Sequence, residues 1–303
     1  MSTEASPLSI SRIPDPAEPV PVVAWPTLAL LLLALGLWGT STVLYLDDMW
    51  PWWATVIVNA VASYMAFTVS HEAAHHAASS SSRLNVWAGR IATPLFAPHA
   101  SFPTWRFIHM QHHRFTNHDD GSDPDHYTMA GPAWQRPLRW LTVDLYYLAF
   151  YVPRLGERPR AEKAEAFVQT VLLIAVLAAA ILTGNLVELA VVLLIPCRLA
   201  VVYLAWAFDY LPHNGLRHRP TEDRMKTTRN RIGLEFLLTP ILLYQNYHLV
   251  HHLHPLVPFY RYLRVWRRNE ASYLEGEPAL STARGRPLTT AEYRRIRELA
   301  EHP

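Results

Sequence analysis

The 303-residue chain has a single cysteine, Cys197. One thiol closes no intramolecular disulfide and holds no iron–sulfur cluster, so Cys197 reads as a small apolar packing residue. No glycine pattern of the kind that cradles phosphates or a dinucleotide occurs. Lys and Arg number 27 against 25 Asp and Glu, a formal net charge of only +2. That slight excess fits membrane orientation and gives no sign of nucleic-acid binding. Charge is missing from whole stretches: residues 26–46, 51–70 and 166–186 carry none, and 189–208 carry only Arg198.

Half of the residues are hydrophobic, and these four runs concentrate them. Each has about 20 residues, enough to cross a bilayer core as a helix. The expected fold is therefore all-α and integral to a membrane. Four transmembrane helices form two hairpins, joined by "LDDMW" (46–50) and by Gly184-Asn185, with a cytoplasmic His-rich helical cap. Neither link contains Lys or Arg, and segments 71–165 and 209–303 hold nearly all the basic residues. The positive-inside rule then places both segments and both termini in the cytoplasm, as expected of a bacterial inner-membrane protein. Residues 1–24, rich in Pro and Ser, read as a disordered cytoplasmic tail; 25–268 as the membrane domain; 269–303 as a cytoplasmic C-terminal tail. Residues 1–24 lack the basic start and apolar core of a cleaved signal peptide. Within 259–268, Arg261, Arg264, Arg267 and Arg268 suit lipid headgroups. Thr289 and Glu292 have capping-box spacing.

Histidine is abundant, at 16 residues, and eight of them fall into three boxes. The first is "HEAAH", His71 to His75. The second is "HMQHH", with His109, His112 and His113. The third is "HLVHH", with His248, His251 and His252. Positions i, i+3 and i+4 lie on one face of a helix, so each box can aim imidazoles at a metal from one side. Read alone, His71-Glu72-x-x-His75 fits the H-E-x-x-H pattern of zinc peptidases, with Glu72 as general base. A catalytic zinc needs three protein ligands, which leaves most of the boxed histidines unemployed. A two-metal centre uses them all. Imidazole suits iron, zinc, copper and nickel alike, so ligand type does not choose the metal. His213, in "FDYLPHN", is a ninth candidate, with Asp209 four residues before it. An acidic residue at a membrane exit tends to mark function.

The three boxes, in this order and spacing around the spans, resemble the membrane fatty acid desaturase–hydroxylase superfamily. The resemblance covers roughly residues 26–268. The strings "HMQHHRFTNHDDGSDPD" and "FDYLPHN…QNYHLVHHLHP" look most like the bacterial and cyanobacterial β-carotene hydroxylase type.

That resemblance implies two iron ions held by His71, His75, His109, His112, His113, His213, His248, His251 and His252. Asp209 occupies the position of a family Asn that reaches the metal through water. Glu72 becomes a support that orients a ligand imidazole, and Asn246 is a second candidate support. Asp119, Asp120, Asp123 and Asp125 form an acidic loop that is as readily a solvated turn as a support. His76, His99, His118, His126, His218 and His254 stay outside the ligand set. The implied activity is O2-dependent oxidation of an unactivated C–H bond in a lipidic substrate, with the metal carrying the hard chemistry. Hydroxylation of a carotenoid β-ring is the leading expectation. Fatty acyl desaturation is the alternative, and an intramembrane zinc metalloprotease a more distant one. Apolar segments 91–105 and 233–244, with the first two spans, are expected to line the substrate route. The chain shows no fused cytochrome, flavin or iron–sulfur signal. Electrons are therefore expected from a separate carrier, such as ferredoxin with its reductase, docking on the basic face.

Overall fold

The computed structural model describes residues 13–301. It is mostly helical, and four helices are long and apolar enough to cross a membrane. They are α1 (Trp25–Leu46), α2 (Trp52–Ala74), α6 (Arg160–Thr183) and α7 (Leu186–His213). Pro26 opens α1, where its missing N–H costs nothing. Asp48, at φ 56°, turns the chain into α2. Gly184, at φ 78°, caps α6 in the left-handed region and leads into α7. The two hairpin turns thus lie at one end of the bundle. The α2 and α7 C-termini lie at the other.

Between the hairpins run α3 (Ser82–Ala92), α4 (Phe102–Phe115) and α5 (Val143–Tyr151). After α7 come α8 (His248–Leu253), α9 (Tyr262–Glu275) and α10 (Thr290–Glu301). The spans differ in what surrounds them. Most of α2 is buried against its neighbours, whereas α6 exposes Phe167, Leu172, Ile174, Ile181 and Leu182. A long apolar exposed face of this kind belongs in lipid.

Pro212 does not interrupt the helix between Asp209 and His213, because the helix widens to a π-turn over Ala205–Tyr210 just before it. Looser winding there leaves room for the proline ring without breaking the helix.

Three further differences concern the cap. A small sheet of β1 (Asn230–Ile232), β2 (Leu280–Thr282) and β3 (Pro287–Leu288) pairs in that order, β1 parallel to β2 and β2 antiparallel to β3. Strands this short leave no readable alternation in the sequence. Segment 269–303 is not a separate tail in its described part. Tyr273, Leu274, Leu280, Leu288 and Tyr293 are buried in one cluster with Leu249 and Val250 of α8. Nor is the described part of the N-terminal segment disordered. Glu18 pairs with Arg261, Arg264 and Arg268 of the α9 region, and the Ala24 N–H donates to the Ala78 carbonyl. Those three arginines therefore serve a carboxylate of their own chain where lipid headgroups were expected. The rest of the 1–24 expectation lies outside the described residues. At the other terminus, Glu292 accepts from the Thr289 N–H and donates its own N–H to Thr289 Oγ1, the reciprocal capping box.

Candidate metal centre

Nine imidazoles meet where α2 and α7 end. Ring nitrogens of His71, His75, His109, His113 and His251 lie within 4.8 Å of one another. Those of His112, His213, His248 and His252 form a second such group. Helix geometry explains the division. In α4 the i, i+4 pair His109 and His113 enters the first group, and His112 enters the second. In α8 the i, i+4 pair His248 and His252 enters the second group, and His251 crosses to the first. Neighbouring helical residues point about 100° apart, so the second and third boxes each straddle both groups. His71 and His75, also i, i+4, complete the first group from α2, and His213 completes the second from the end of α7.

The ring contacts are short. Nε2 of His251 lies 3.0 Å from Nε2 of His71 and 2.9 Å from Nε2 of His113. Nε2 of His75 lies 2.7 Å from that of His109. In the second group Nε2 of His252 lies 3.2 Å from His248 and 3.4 Å from His112. What backs the rings decides what these contacts mean. His112 Nδ1 is 2.9 Å from Asp123 Oδ1 and 3.3 Å from Asp125 Oδ2. His248 Nδ1 donates to Gln245 Oε1 at 2.8 Å, and His213 Nδ1 to the Thr227 carbonyl at 3.3 Å. Acceptors on Nδ1 fix the proton there and leave Nε2 with a bare lone pair. Nε2 of His213 is buried with no hydrogen-bond partner among the described residues. Converging bare lone pairs repel unless a cation lies between them. The donor set thus fits metal ions, one per group.

Electrostatics around His112 agree. Burial works against protonation of this ring, but the Asp125 and Asp123 carboxylates outweigh it and push the group up to about 9. Burial pushes the Asp125 carboxyl up to about 6, against the His112 charge that lowers it. The carboxylates thus favour positive charge at this ring, which a metal ion at Nε2 would supply in place of a second proton.

The expected supports divide. Glu72 does not touch a ligand imidazole. Its Oε2 accepts the Phe259 N–H at 3.1 Å and its Oε1 the Tyr262 hydroxyl at 3.5 Å, and Tyr262 in turn accepts from His251 Nδ1 at 2.9 Å. The carboxylate acts through a tyrosine, and the base of the zinc-peptidase reading is thereby engaged elsewhere. Asn246 reaches no histidine; its Nδ2 donates to Thr239, and the adjacent Gln245 holds His248. Asp209 lies outside both groups, accepting from the Tyr147 hydroxyl at 3.3 Å. Of the acidic loop, Asp123 and Asp125 back His112, whereas Asp119 and Asp120 are exposed. His76 pairs with Arg106 and His254 with the Tyr273 hydroxyl, both away from the groups. His99, His118, His126 and His218 also stand outside them. Gln245 is three residues before His248, a helical spacing that could have flagged it. Tyr262 has no local signal.

Beside the first group is a cavity of about 70 Å³. Phe67, Phe96, Trp105, Leu204 and Phe208 make its apolar wall, and His109 is part of the lining. Trp105 stacks on His109 at 5.2 Å between centroids, and Phe208 meets His71 edge-on at 4.9 Å. Asp125, Tyr147 and Asp209 form a polar side, where the Tyr147 hydroxyl donates to Asp125 Oδ1 at 2.6 Å. The cavity lining draws on segment 91–105, on Phe67 of α2, and on residues of α5 and α7; α1 and segment 233–244, also expected to line the substrate route, are absent from it.

A fatty acid desaturase family profile matches residues 48–283, more than half of the chain and all three boxes. The chain belongs to the fatty acid desaturase family. It is also 29% identical over 199 residues to a beta-carotene ketolase of Paracoccus sp. (strain N81106 / MBIC 01143), covering 64% of this chain and 71% of that one. As a member of this family the protein is an oxidoreductase of the desaturase–hydroxylase type and an integral membrane protein.

Proposed function

We propose that the protein oxidises a ring C–H bond of a carotenoid-type lipid with O2, hydroxylation of a β-ring being the first product. The overall reaction is R–H + O2 + 2 e⁻ + 2 H⁺ → R–OH + H2O. The observation that carries the reading is the placement of an aromatic-walled cavity directly against His109 and the first histidine group. Two iron ions, one in each group, would supply oxygen activation. The chain supplies everything else. Phe67, Phe96, Trp105 and Phe208 give the substrate ring an apolar seat and keep water from it. Tyr147, with Asp125 and Asp209, offers a hydroxyl proton on the polar side of the same cavity. Asp123, Gln245, Thr227 and Tyr262 hold His112, His248, His213 and His251 in the tautomer that presents Nε2 inward.

A relative that is a ketolase supports a carotenoid over an acyl substrate. Because both hairpin turns lack Lys and Arg, the histidine end faces the cytoplasm of a bacterial inner membrane. There it meets a separate electron carrier of the ferredoxin kind. The test is expression in a β-carotene-producing host, with pigments and fatty acids profiled together. Oxygenated carotenoid is the expected result. New unsaturated acyl chains with unchanged pigment would assign the protein to acyl desaturation.

A further inference from the structure

The cavity beside the first group, about 70 Å³, has no room for a long lipid chain. Most of such a substrate must lie elsewhere while one end reacts. Outside one wall of the cavity, an open groove runs between α6 and the rest of the bundle. Its upper part, about 510 Å³, has Trp87, Arg90 and Glu165 at the rim. Its lower part, about 240 Å³, is walled by Trp38 of α1, Leu193 of α7, and Leu173 and Val176 of α6. Pro94, Gln169 and Leu172 line both parts, so the two are continuous. On α6, Glu165, Gln169, Leu172 and Val176 recur at i, i+4, i+7 and i+11, one helical stripe along the groove.

The wall between groove and cavity is a single short segment. Between α3 and α4 the chain is irregular from Phe96 to Ser101, whereas the rest of the cavity lining is helical. Phe96, Ala97 and His99 line the cavity; Pro94, Leu95 and Pro98 line the groove; Ala100 lines both. Irregular backbone at the level of the spans must find its hydrogen bonds within the protein. Three spans supply them. Ser63 of α2 donates to the Leu95 carbonyl at 2.6 Å, and Cys197 of α7 to the same carbonyl at 3.2 Å. Gln169 Nε2 of α6 donates to the Pro98 carbonyl at 2.7 Å. A glutamine inside an apolar span is costly without such a partner.

We propose that this groove seats the unreacting chain of the lipid substrate, whose ring enters the cavity past Ala100, while Gln169 holds the wall beside it. The proposal rests on the oxidase reading above. The apolar lower part suits a polyene chain. Arg90 and Glu165, the two charged residues among the described lining, are paired with each other at 2.6 Å. They leave no free charge for an ionic headgroup, which favours a chain without one over a phospholipid.

The test follows the pigment retained by the full chain when it is purified in mild detergent from a β-carotene-producing host. Leu172→Trp and Val176→Trp, made singly and together, fill the groove; Ile174→Trp puts the same bulk on the exposed face of α6 away from it. β-Carotene retained per chain should fall about tenfold or more in the double variant and stay at the wild-type value in Ile174→Trp. In nanodiscs, with a single turnover driven by dithionite, the double variant should lose oxidation of β-carotene by a similar factor. It should keep that of β-ionone, which carries the same ring on a short tail. Absence of pigment from the wild type, or equal retention by wild type and double variant, would overturn the proposal. So would equal loss of both substrates, which would mean that the added bulk damages the cavity itself. Phospholipid retained in place of pigment, and lost from the double variant, would assign the groove to a bilayer lipid and overturn it too. Groove-dependent retention of pigment with no product from either substrate would support the chain seat, and the oxidase reading would fail.

Discussion

The Tyr262 hydroxyl accepts from His251 Nδ1 at 2.9 Å and donates to the Glu72 carboxylate at 3.5 Å. His251 is the one residue of its box that crosses into the first group, so its ring depends on a support from outside α8. Tyr262→Phe keeps the buried ring and removes only the hydroxyl. Iron affinity of the first group should fall about 10–100-fold, the usual effect of losing an outer hydrogen bond. Glu72→Gln should cost less, since a carboxamide oxygen still accepts from the Phe259 N–H. Metal titration of the purified variants orders the two. A Glu72 variant weaker than the Tyr262 variant would return the direct role to the carboxylate.

Each histidine group should hold its own metal. His109→Ala removes a donor from the five-membered group, and His213→Ala one from the four-membered group. Iron content should fall from about two per chain to about one in His213→Ala, where three imidazoles remain. His109→Ala keeps four and should retain more. A zinc peptidase would behave otherwise, holding one zinc through His71 and His75 and ignoring His213. Metal analysis of purified protein separates these outcomes.

The i, i+4 spacing of His71 and His75, of His109 and His113, and of His248 and His252 was enough to place each pair on one stripe. Its assignment to a group was not legible. That depends on how α4 and α8 face each other, and adjacent residues such as His112 and His113 part company across that interface. The spans were legible because lipid demands about 20 apolar residues in a row. The packing of 269–303 was not, because Tyr273 and Tyr293 are spaced too far apart to show a pattern and are buried in a cluster with residues distant in sequence, Leu249 and Val250 among them. Tyr262 escaped notice for the same reason: its partners, Glu72 and His251, are 190 and 11 residues away.

The cavity makes a separable prediction. Ala205 is buried, lines the cavity and contacts no metal-binding imidazole through a polar atom. Ala205→Leu adds bulk where the substrate ring would sit. Turnover should fall about tenfold or more, because a pocket that is one or two methylenes too small discriminates strongly. Iron content should stay at the wild-type value. Loss of iron together with turnover would show that Ala205 serves the metal centre through packing and is not a substrate wall.

Gly89 tests how firmly α4 is held. A Cβ at this position would come within 2.2 Å of the Phe102 ring, and Phe102 is the buried first residue of the helix that carries the second box. Two effects compete in Gly89→Ala. Alanine gains up to about 1 kcal/mol of helix propensity over glycine. Overpacking a close-packed contact costs about 1–3 kcal/mol, and at this distance the ring cannot stay where it is. The clash should win, so the variant should unfold at a lower temperature. Adding Phe102→Leu should recover part of the loss, since the two residues touch and their effects are coupled. Additive losses in the double variant, measured by thermal unfolding in detergent, would mean that Phe102 swings away freely and that α4 is positioned by its other contacts.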